Sequence, residues 1–185
     1  VGFMVIAELV VGKAVDLCEV LPVESVEASR VGLCRPDQAP VRIERDGTWT
    51  HEGAEIDHPE VLAALRAGLR RDGEGRYGIE IEGQRAGIEV VDVPFVVRGI
   101  RPVPAPAPRA VKFRILLNDG SEEDLDLATI RVAPGDVLYC AVKGGRFEAR
   151  LSPGSCVALG LHCDYDEGAE ALTLPDGTRR VVPRR

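Results

Sequence analysis

One stretch of alternating apolar and polar residues, Leu138 to Leu151, is interrupted at its centre by Gly144-Gly145. Alternation with a period of two is typical of a half-buried strand, and a Gly-Gly pair suits the positive φ angles of a two-residue hairpin turn. The predicted register places Lys143 opposite Arg146. One face of the hairpin is then apolar and comprises Leu138, Cys140, Val142, Phe147, Ala149 and Leu151.

The residues after this hairpin predict a helix and a second hairpin. Ser152 is a suitable N-cap and Pro153 a suitable first helical residue. Asp164 to Gly168 is expected to be a loop. The segments Ala169 to Leu174 and Thr178 to Val182 then flank a Pro-Asp-Gly turn and are expected to close the unit as ββαββ.

The first half of the chain repeats this order. Val41 to Arg45 and Thr48 to Glu52 flank Asp46-Gly47, and a helix is predicted from Pro59 to about Arg71. A closing hairpin follows, with Gly78 to Glu82 and Ala86 to Asp92 on either side of Gly83. The helix-start proline and the closing-turn glycine are 24 residues apart in both halves, Pro59 to Gly83 and Pro153 to Gly177. This agreement favours a duplicated module.

The predicted fold class is α+β, with two related ββαββ units. The prolines of residues 102–108 favour an extended, semi-rigid linker. The predicted organisation is therefore an unassigned N-terminal segment (1–40), a first domain (41–101), the linker (102–108) and a second β-rich domain (109–185). An additional strand is predicted where Val111, Phe113, Ile115 and Leu117 alternate with Lys112, Arg114 and Leu116, at the entry to the second domain.

Composition narrows the classes of function. A net charge of -7 and 4% aromatic residues disfavour generic nucleic-acid binding. The only basic run, near the C-terminal end, is expected to be solvated. Five cysteines without a Cys-x-x-Cys pair favour reduced thiols and a cytoplasmic location. The apolar stretch Phe3 to Val11 contains Glu8, so it is expected to be neither a signal peptide nor a membrane span.

No metal or cofactor is expected. Cys156 and Cys163 lie seven residues apart on the apolar stripe of the second predicted helix, and His162 lies off that stripe. Cysteine is among the most buried residue types, so core packing accounts for both thiols.

Four residues of the first hairpin form the main candidate site. A two-residue Asp46-Gly47 turn would place Arg42, Glu44, Trp49 and His51 on one face, opposite Val41 and Ile43. Such a face would combine an aromatic ring, an imidazole and charges. In the alternative interpretation Trp49 is a core anchor, because overlaying the two turns puts it where Phe147 lies.

The chain resembles a bacterial family known as domain of unknown function 1285. The matching residues are Arg45-Asp46-Gly47-Thr48-Trp49, His51-Glu52-Gly53, Leu69-Arg70-Arg71, Tyr77, and Ile88-Glu89-Val90 through Val93-Pro94-Phe95-Val96, within about residues 41–97. The resemblance implies a duplicated core, a second domain loosely like pleckstrin-homology folds, and a pocket between the domains for a nucleotide-like molecule in signalling. The C-terminal half departs from the family pattern, especially in Ser152 to Cys163.

Three functional hypotheses follow. The first is a non-enzymatic binding or regulatory module that holds a small anionic or nucleotide-like ligand between its domains, through Arg42, Trp49, His51, Arg71, Tyr139 and Arg150. The second is an acid/base hydrolase that uses His51 with Glu44 or Glu52. Adjacent residues of a strand point to opposite faces, which disfavours the His51 and Glu52 pair. The third is a structural protein-interaction module.

Overall fold

A computed structural model of the chain describes residues 41–104, 111–168, 170–174 and 177–184. The chain divides into two compact units, one of residues up to Glu44 with Thr48–Val91, the other of Arg45–Gly47 with Asp92–Arg185. Strands make up most of the regular structure, and one α-helix is described in each unit, so the predicted α+β class is confirmed. The N-terminal segment 1–40, with its apolar stretch, lies outside the described residues.

The described part of the first unit contains two sheets and a helix. In chain order its described elements are β1 (Val41–Ile43), β2 (Trp49–His51), β3 (Ala54–Glu55), α1 (Pro59–Gly68), β4 (Leu69–Arg71), β5 (Tyr77–Ile81), β6 (Gln84–Gly87) and β7 (Glu89–Val90). The strand orders are β3-β2-β1-β7 and β4-β5-β6, and β7 is parallel to β1. The side chains of Ile43, Trp49, Leu65, Leu69 and Ile79 are buried and form its core.

Helix α1 begins at the predicted proline but ends earlier than expected. Pro59 occupies its first turn, and the helix stops at Gly68 instead of about Arg71. A Cβ atom on Gly68 would lie 2.8 Å from the carbonyl oxygen of Glu80, so the helix end packs directly on β5. Leu69 then takes an extended conformation (φ -60°, ψ 130°) and starts β4, which pairs with β5.

The second unit contains a larger sheet, a three-stranded sheet and the second helix. In chain order its described elements are β8 (Phe95–Pro104), β9 (Val111–Leu117), β10 (Glu122–Asp124), a 3-10 turn (Leu127–Thr129), β11 (Arg131–Ala133), β12 (Val137–Val142), β13 (Phe147–Leu151), α2 (Pro153–Gly160), β14 (Asp164–Asp166), β15 (Ala171–Thr173) and β16 (Arg179–Val181). The strand orders are β10-β9-β8-β13-β12-β11 and β14-β15-β16.

The β12–β13 hairpin has the predicted register. Val142 lies opposite Phe147 and Cys140 opposite Ala149, and the predicted apolar face is buried except for the half-buried Leu138. The N–H of Gly145 donates to the carbonyl of Val142, so a hydrogen-bonded turn lies within the loop between the two strands, and the loop stays centred on Gly144-Gly145 as predicted. Lys143, Gly144 and Gly145 all have positive φ angles. The loop therefore spans four residues, an even number like the predicted two.

Two segments predicted as irregular are strands. Pro102 and Pro104 lie in β8 opposite Phe113 and Val111 of β9, so residues 102–104 are part of a hairpin in the second unit and not of a linker. Residues 105–110 lie outside the described residues. Asp164–Asp166, expected to be a loop, pairs with β15 as β14. Apart from Arg45–Gly47, the second unit consequently begins at Asp92, just before β8, and not near residue 109.

The expected ββαββ order is interrupted by additional strands. In the first unit β3 and β4 are additional strands, and the strand predicted from Ala86 to Asp92 is divided between β6 and β7. In the second unit α2 begins as predicted, since the side chain of Ser152 accepts a hydrogen bond from the N–H of Ser155 and Pro153 follows. The duplication and the pleckstrin-homology likeness stay predictions. No helix among the described residues has the length and apolar character needed to cross a bilayer.

Candidate functional site

The first hairpin does not place its four candidate residues on one face. Ile43 lies opposite Trp49, Arg42 opposite Thr50 and Val41 opposite His51. The loop has three residues, Arg45–Gly47, and only Gly47 among them has a positive φ angle (84°). This is the pattern of a type I turn followed by a left-handed residue, and its odd length moves the pairing by one position relative to a two-residue turn.

The one-residue change separates the aromatic ring from the charges. Trp49 and His51 share the face of Val41 and Ile43, and Trp49 is 2% exposed. Trp49 is therefore a core residue, as the alternative interpretation of the sequence predicts. Its ring is buried within the first unit and does not offer a face on which a ligand could stack.

Arg42 and Glu44 lie on the opposite face and are paired. The Nε atom of Arg42 is 2.9 Å from Glu44, and its Nη1 atom is 3.3 Å from Glu89 of the parallel strand β7. The side chains of Arg42 and Glu44 are both more than a third exposed. The guanidinium is compensated by two carboxylates, which reduces its capacity to bind an anion.

The hydrolase hypothesis gains no support from this geometry. Glu44 lies on the other face of the hairpin from His51, and its carboxylate pairs with Arg42. Glu52 has a φ of 50° in the tight turn with Gly53 that joins β2 to β3. Among the described residues, His51 has no carboxylate partner that would orient it as a base.

Arg71 lies on the exposed strand β4 of the first unit. Its guanidinium carbon is 5.6 Å from the centroid of the Tyr77 ring, a cation–π arrangement. Tyr77 is one of the residues that carry the family resemblance. It is not one of the candidate site residues, so this contact does not connect Arg71 with Arg42, Trp49 or His51.

Tyr139 and Arg150 of the second unit lie opposite each other on β12 and β13, and both contact Asp92, a residue that the sequence did not single out. The hydroxyl of Tyr139 is 2.9 Å from both carboxylate oxygens of Asp92, and Arg150 donates to the same carboxylate at 3.0 Å. Burial, and then the hydrogen bond to Asp92, raise the pKa of Tyr139. Neither residue is activated by this arrangement, which fixes Asp92 at the start of the unit.

The same polar face continues on the neighbouring strands. The guanidinium of Arg131 is 4.2 Å from the ring centroid of Tyr139 and donates to Glu148 at 2.7 Å. The hydrogen bond to Glu148 is the main reason that the pKa of Arg131 is raised. The charges of Arg131, Glu148, Arg150 and Asp92 therefore compensate one another within the sheet.

A pocket of about 230 Å³ lies elsewhere in the second unit. Its walls come from the start of β9, the 3-10 turn with the residues just before it, and the β15–β16 hairpin. The lining residues are Lys112, Leu125, Asp126, Leu127, Ala128, Leu174, Thr178 and Arg180. The pocket therefore combines three leucines with two cations and one carboxylate.

The charged groups of this pocket differ in how they are held. Asp126 caps the 3-10 turn, because its Oδ1 atom accepts a hydrogen bond from the N–H of Ala128 at 2.9 Å. In the described part of the chain, Lys112 and Arg180 make no ion pair. Two other arginines of the basic run do: Arg179 pairs with Asp166 and Arg184 with Asp136. Arg180 therefore lines the pocket without an ion-pair partner among the described residues.

Sequence reasoning missed this pocket because its residues are far apart in the chain. Arg180 belongs to the basic run for which the sequence predicts a solvated tail, and Lys112 is one of the alternating residues of a predicted strand. The available signal was Asp126, a residue type that favours capping positions. That signal predicts a turn but not the residues that surround it.

Two solved structures share this fold. A DUF1285 family protein from Silicibacter pomeroyi DSS-3 is 22% identical, with a TM-score of 0.64, and the match covers 78% of this chain and 79% of that chain. A DUF1285 family protein from Shewanella baltica OS155 is 13% identical, with a TM-score of 0.55, and the match covers 68% and 93%. The predicted resemblance is therefore confirmed at the level of the fold. No protein-family model and no curated protein matches the chain.

Proposed function

We propose that this protein is a non-enzymatic binding module that holds a small organic anion in the pocket of its second unit. The observation that carries the proposal is a concave surface lined by three leucines and by Lys112 and Arg180, two cations that make no ion pair among the described residues. Binding sites of small molecules are concave and mainly apolar, with a few polar groups that fix the orientation of the ligand.

The size and lining of the pocket favour a compact ligand. Its volume of about 230 Å³ is below the range of roughly 300 to 1,000 Å³ that is usual for drug-sized ligands. The side chains that line it include no aromatic ring on which a base could stack. These features favour a short aliphatic carboxylate or phosphate over the nucleotide-like ligand that the family resemblance implies.

The proposed setting is regulatory and cytoplasmic. The described cysteines Cys140, Cys156 and Cys163 are free thiols, which suits a reducing compartment. Burial raises the pKa of Cys140 to about 12 and that of Cys163 to about 11, so neither thiol is a nucleophile at neutral pH. The protein-interaction hypothesis stays a prediction.

A thermal-shift screen followed by titration calorimetry tests the proposal. The probes are inorganic phosphate, acetate, succinate and 4-methylpentanoate, and a probe at 100 times its Kd should stabilise the fold by about 2.7 kcal/mol. Lys112→Ala and Arg180→Ala should each weaken binding about tenfold or more, since each removes a charge-assisted hydrogen bond.

The control variant is Arg146→Ala, which removes one positive charge of the same unit outside the pocket. Arg146 is exposed and lies at the β12–β13 turn, where it donates to the carbonyl of Lys143. The control should keep the affinity of the wild type. Equal losses in all three variants would indicate a general charge effect, and the absence of binding by every probe would overturn the proposal.

A further inference from the structure

The carboxylate of Asp126 distinguishes this pocket from a simple anion site. Its Oδ1 atom is fixed by the N–H of Ala128, and its Oδ2 atom has no hydrogen-bond partner among the described residues. A carboxylate in an anion pocket would repel the ligand unless the ligand also presents a positive or hydrogen-bond-donating group. The orientation of Asp126 is set by the 3-10 turn that it caps.

The three kinds of lining group match the three parts of one class of molecule. Lys112 and Arg180 can pair with a carboxylate, Asp126 can accept from an ammonium group, and Leu125, Leu127 and Leu174 offer apolar contact. Leu125 and Leu174 are themselves buried and therefore form a fixed surface. An α-amino acid with an aliphatic side chain carries all three complementary groups within a few bonds.

We infer that the pocket binds an aliphatic α-amino acid, with its carboxylate at Lys112 and Arg180, its ammonium group at Asp126 and its side chain on the three leucines. This inference rests on the proposed function and adds the class of ligand. The volume of about 230 Å³ suits molecules of the size of valine, leucine and isoleucine. The ammonium group is the part of the ligand that separates this inference from the general anion proposal.

The test compares leucine with two molecules that each lack one of its charges. Calorimetric titrations of the full chain use L-leucine, L-isoleucine and L-valine, together with 4-methylpentanoate, which lacks the ammonium group, and 3-methylbutylamine, which lacks the carboxylate. At least one of the three amino acids should bind. The two analogues of leucine should bind about tenfold or more weakly than leucine, as expected when a charge-assisted hydrogen bond is lost.

Asp126→Asn provides the decisive variant. The side-chain amide oxygen can still accept from the N–H of Ala128, so the cap is kept while the negative charge is removed. The variant should lose most of the preference for leucine over 4-methylpentanoate and should bind 4-methylpentanoate at least as well as the wild type. Asp124→Asn is the matched control, because Asp124 is an exposed carboxylate that pairs with Arg114 outside the pocket.

The outcomes separate the two proposals. Equal affinity of the wild type for leucine and 4-methylpentanoate would overturn the amino-acid inference and leave the anion proposal standing. An unchanged preference in Asp126→Asn would also overturn the inference. If none of the three amino acids binds with a Kd below about 10 mM, the inference fails, and the phosphate, acetate and succinate titrations then decide the anion proposal separately.

Discussion

The two hairpins at β1–β2 and β12–β13 carry similar turn signals but place their side chains differently. Both have glycine at the centre of an alternating segment. The β12–β13 loop has four residues and keeps the predicted faces, whereas the β1–β2 loop has three and exchanges them. An even loop preserves the pairing of a two-residue turn, and an odd loop moves every side chain of one strand to the other face.

The φ angles show how the two loops reach different lengths. In β12–β13, Lys143 joins Gly144 and Gly145 at positive φ, so three consecutive residues are left-handed. In β1–β2, Gly47 is the only residue of the loop with a positive φ. A side chain at positive φ is strained, and Asp46 avoids that strain by taking part in a type I turn. The comparison teaches that the residues beside the glycine determine which face becomes the core.

Removing Trp49 should have the largest effect on the free energy of unfolding. A small effect would contradict the comparison of the two hairpins. Trp49→Ala is expected to lower the free energy of unfolding by about 3 to 5 kcal/mol, because it leaves a cavity in a core where the ring is 2% exposed. Urea unfolding followed by circular dichroism is the appropriate measurement, since the variant removes the only tryptophan.

Phe147→Ala supplies the matched measurement in the other hairpin. Phe147 is also buried, so Phe147→Ala should lower the free energy of unfolding by a similar amount, about 3 to 5 kcal/mol. A loss below about 1 kcal/mol for Trp49→Ala, typical of a surface position, would mean that the ring is not part of the core. Such a result would support the prediction that Trp49 lies with Arg42 and His51 on a ligand-binding face.

The glycines of the two loops should differ in their tolerance of alanine. Gly144→Ala should cost about 1 kcal/mol, because the left-handed conformation is strained for alanine. A Cβ atom on Gly144 meets no heavy atom within 4 Å. Gly47→Ala should cost about 2 to 3 kcal/mol, since overpacking adds to the strain. Its Cβ would lie 2.3 Å from the Nδ2 atom of Asn118.

Thermal unfolding of both variants and the wild type measures this difference. Gly53→Ala is a further control, because Gly53 has a φ of 83° and a Cβ atom there would also meet nothing within 4 Å. It should behave like Gly144→Ala. Equal losses of stability in Gly47→Ala and Gly144→Ala would show that both loops have room for a Cβ atom. The positive φ angle alone would then account for the cost of each substitution.

The ion pairs of the two hairpins should also differ in how much they stabilise the fold. Lys143→Gln should cost about 1.5 kcal/mol, the lower end for hydrogen bonds between charged groups. The Nζ atom of Lys143 is 2.7 Å from Asp119, and both side chains are at most 20% exposed. Arg42→Gln should cost less than about 1 kcal/mol, as is usual for exposed ion pairs. Arg42 and Glu44 are 43% and 38% exposed.

The pH dependence of stability distinguishes the two pairs further. Burial alone would raise the pKa of Asp119, but hydrogen bonds from Lys143 and Ser121 outweigh it and hold that pKa below the ordinary value of 3.8. A depressed carboxyl pKa contributes stability above pH 3.8 that is lost as the pH falls through the folded value. Lys143→Gln should therefore flatten the acid limb of the stability profile, and Arg42→Gln should leave it in place.

The sequence predicted the class of fold and most strand and helix starts, because these depend on local signals. The alternation of Val111 to Leu117, the cap at Ser152 and the prolines at 59 and 153 all led to elements that the structure contains. The end of α1 could not be predicted, since it depends on the close approach of Gly68 to Glu80 across the fold. The face of Trp49 could not be predicted, since it depends on a difference of one residue in loop length.

The candidate site was harder to predict than the fold. Tyr139 and Arg150 were both predicted as site residues, but their common partner Asp92 lies 47 residues before Tyr139 in the chain. Lys112, Asp126 and Arg180 come from three separate segments of the second unit. No local pattern connects such residues, because only the folded sheet and its flanking turns bring them to one surface.

The prolines of β8 also have a consequence for the behaviour of the protein in concentrated solution. The carbonyl of Phe113 accepts from Leu125, on the side of β9 away from β8, so its partner Pro102 directs its own main-chain nitrogen away from β9. Pro104, two residues further on, has the same orientation. No described strand pairs with that side of β8 at these residues. An incoming strand from another molecule would find no N–H donor at either position, so the extended β8–β9 arm is protected against edge-to-edge aggregation.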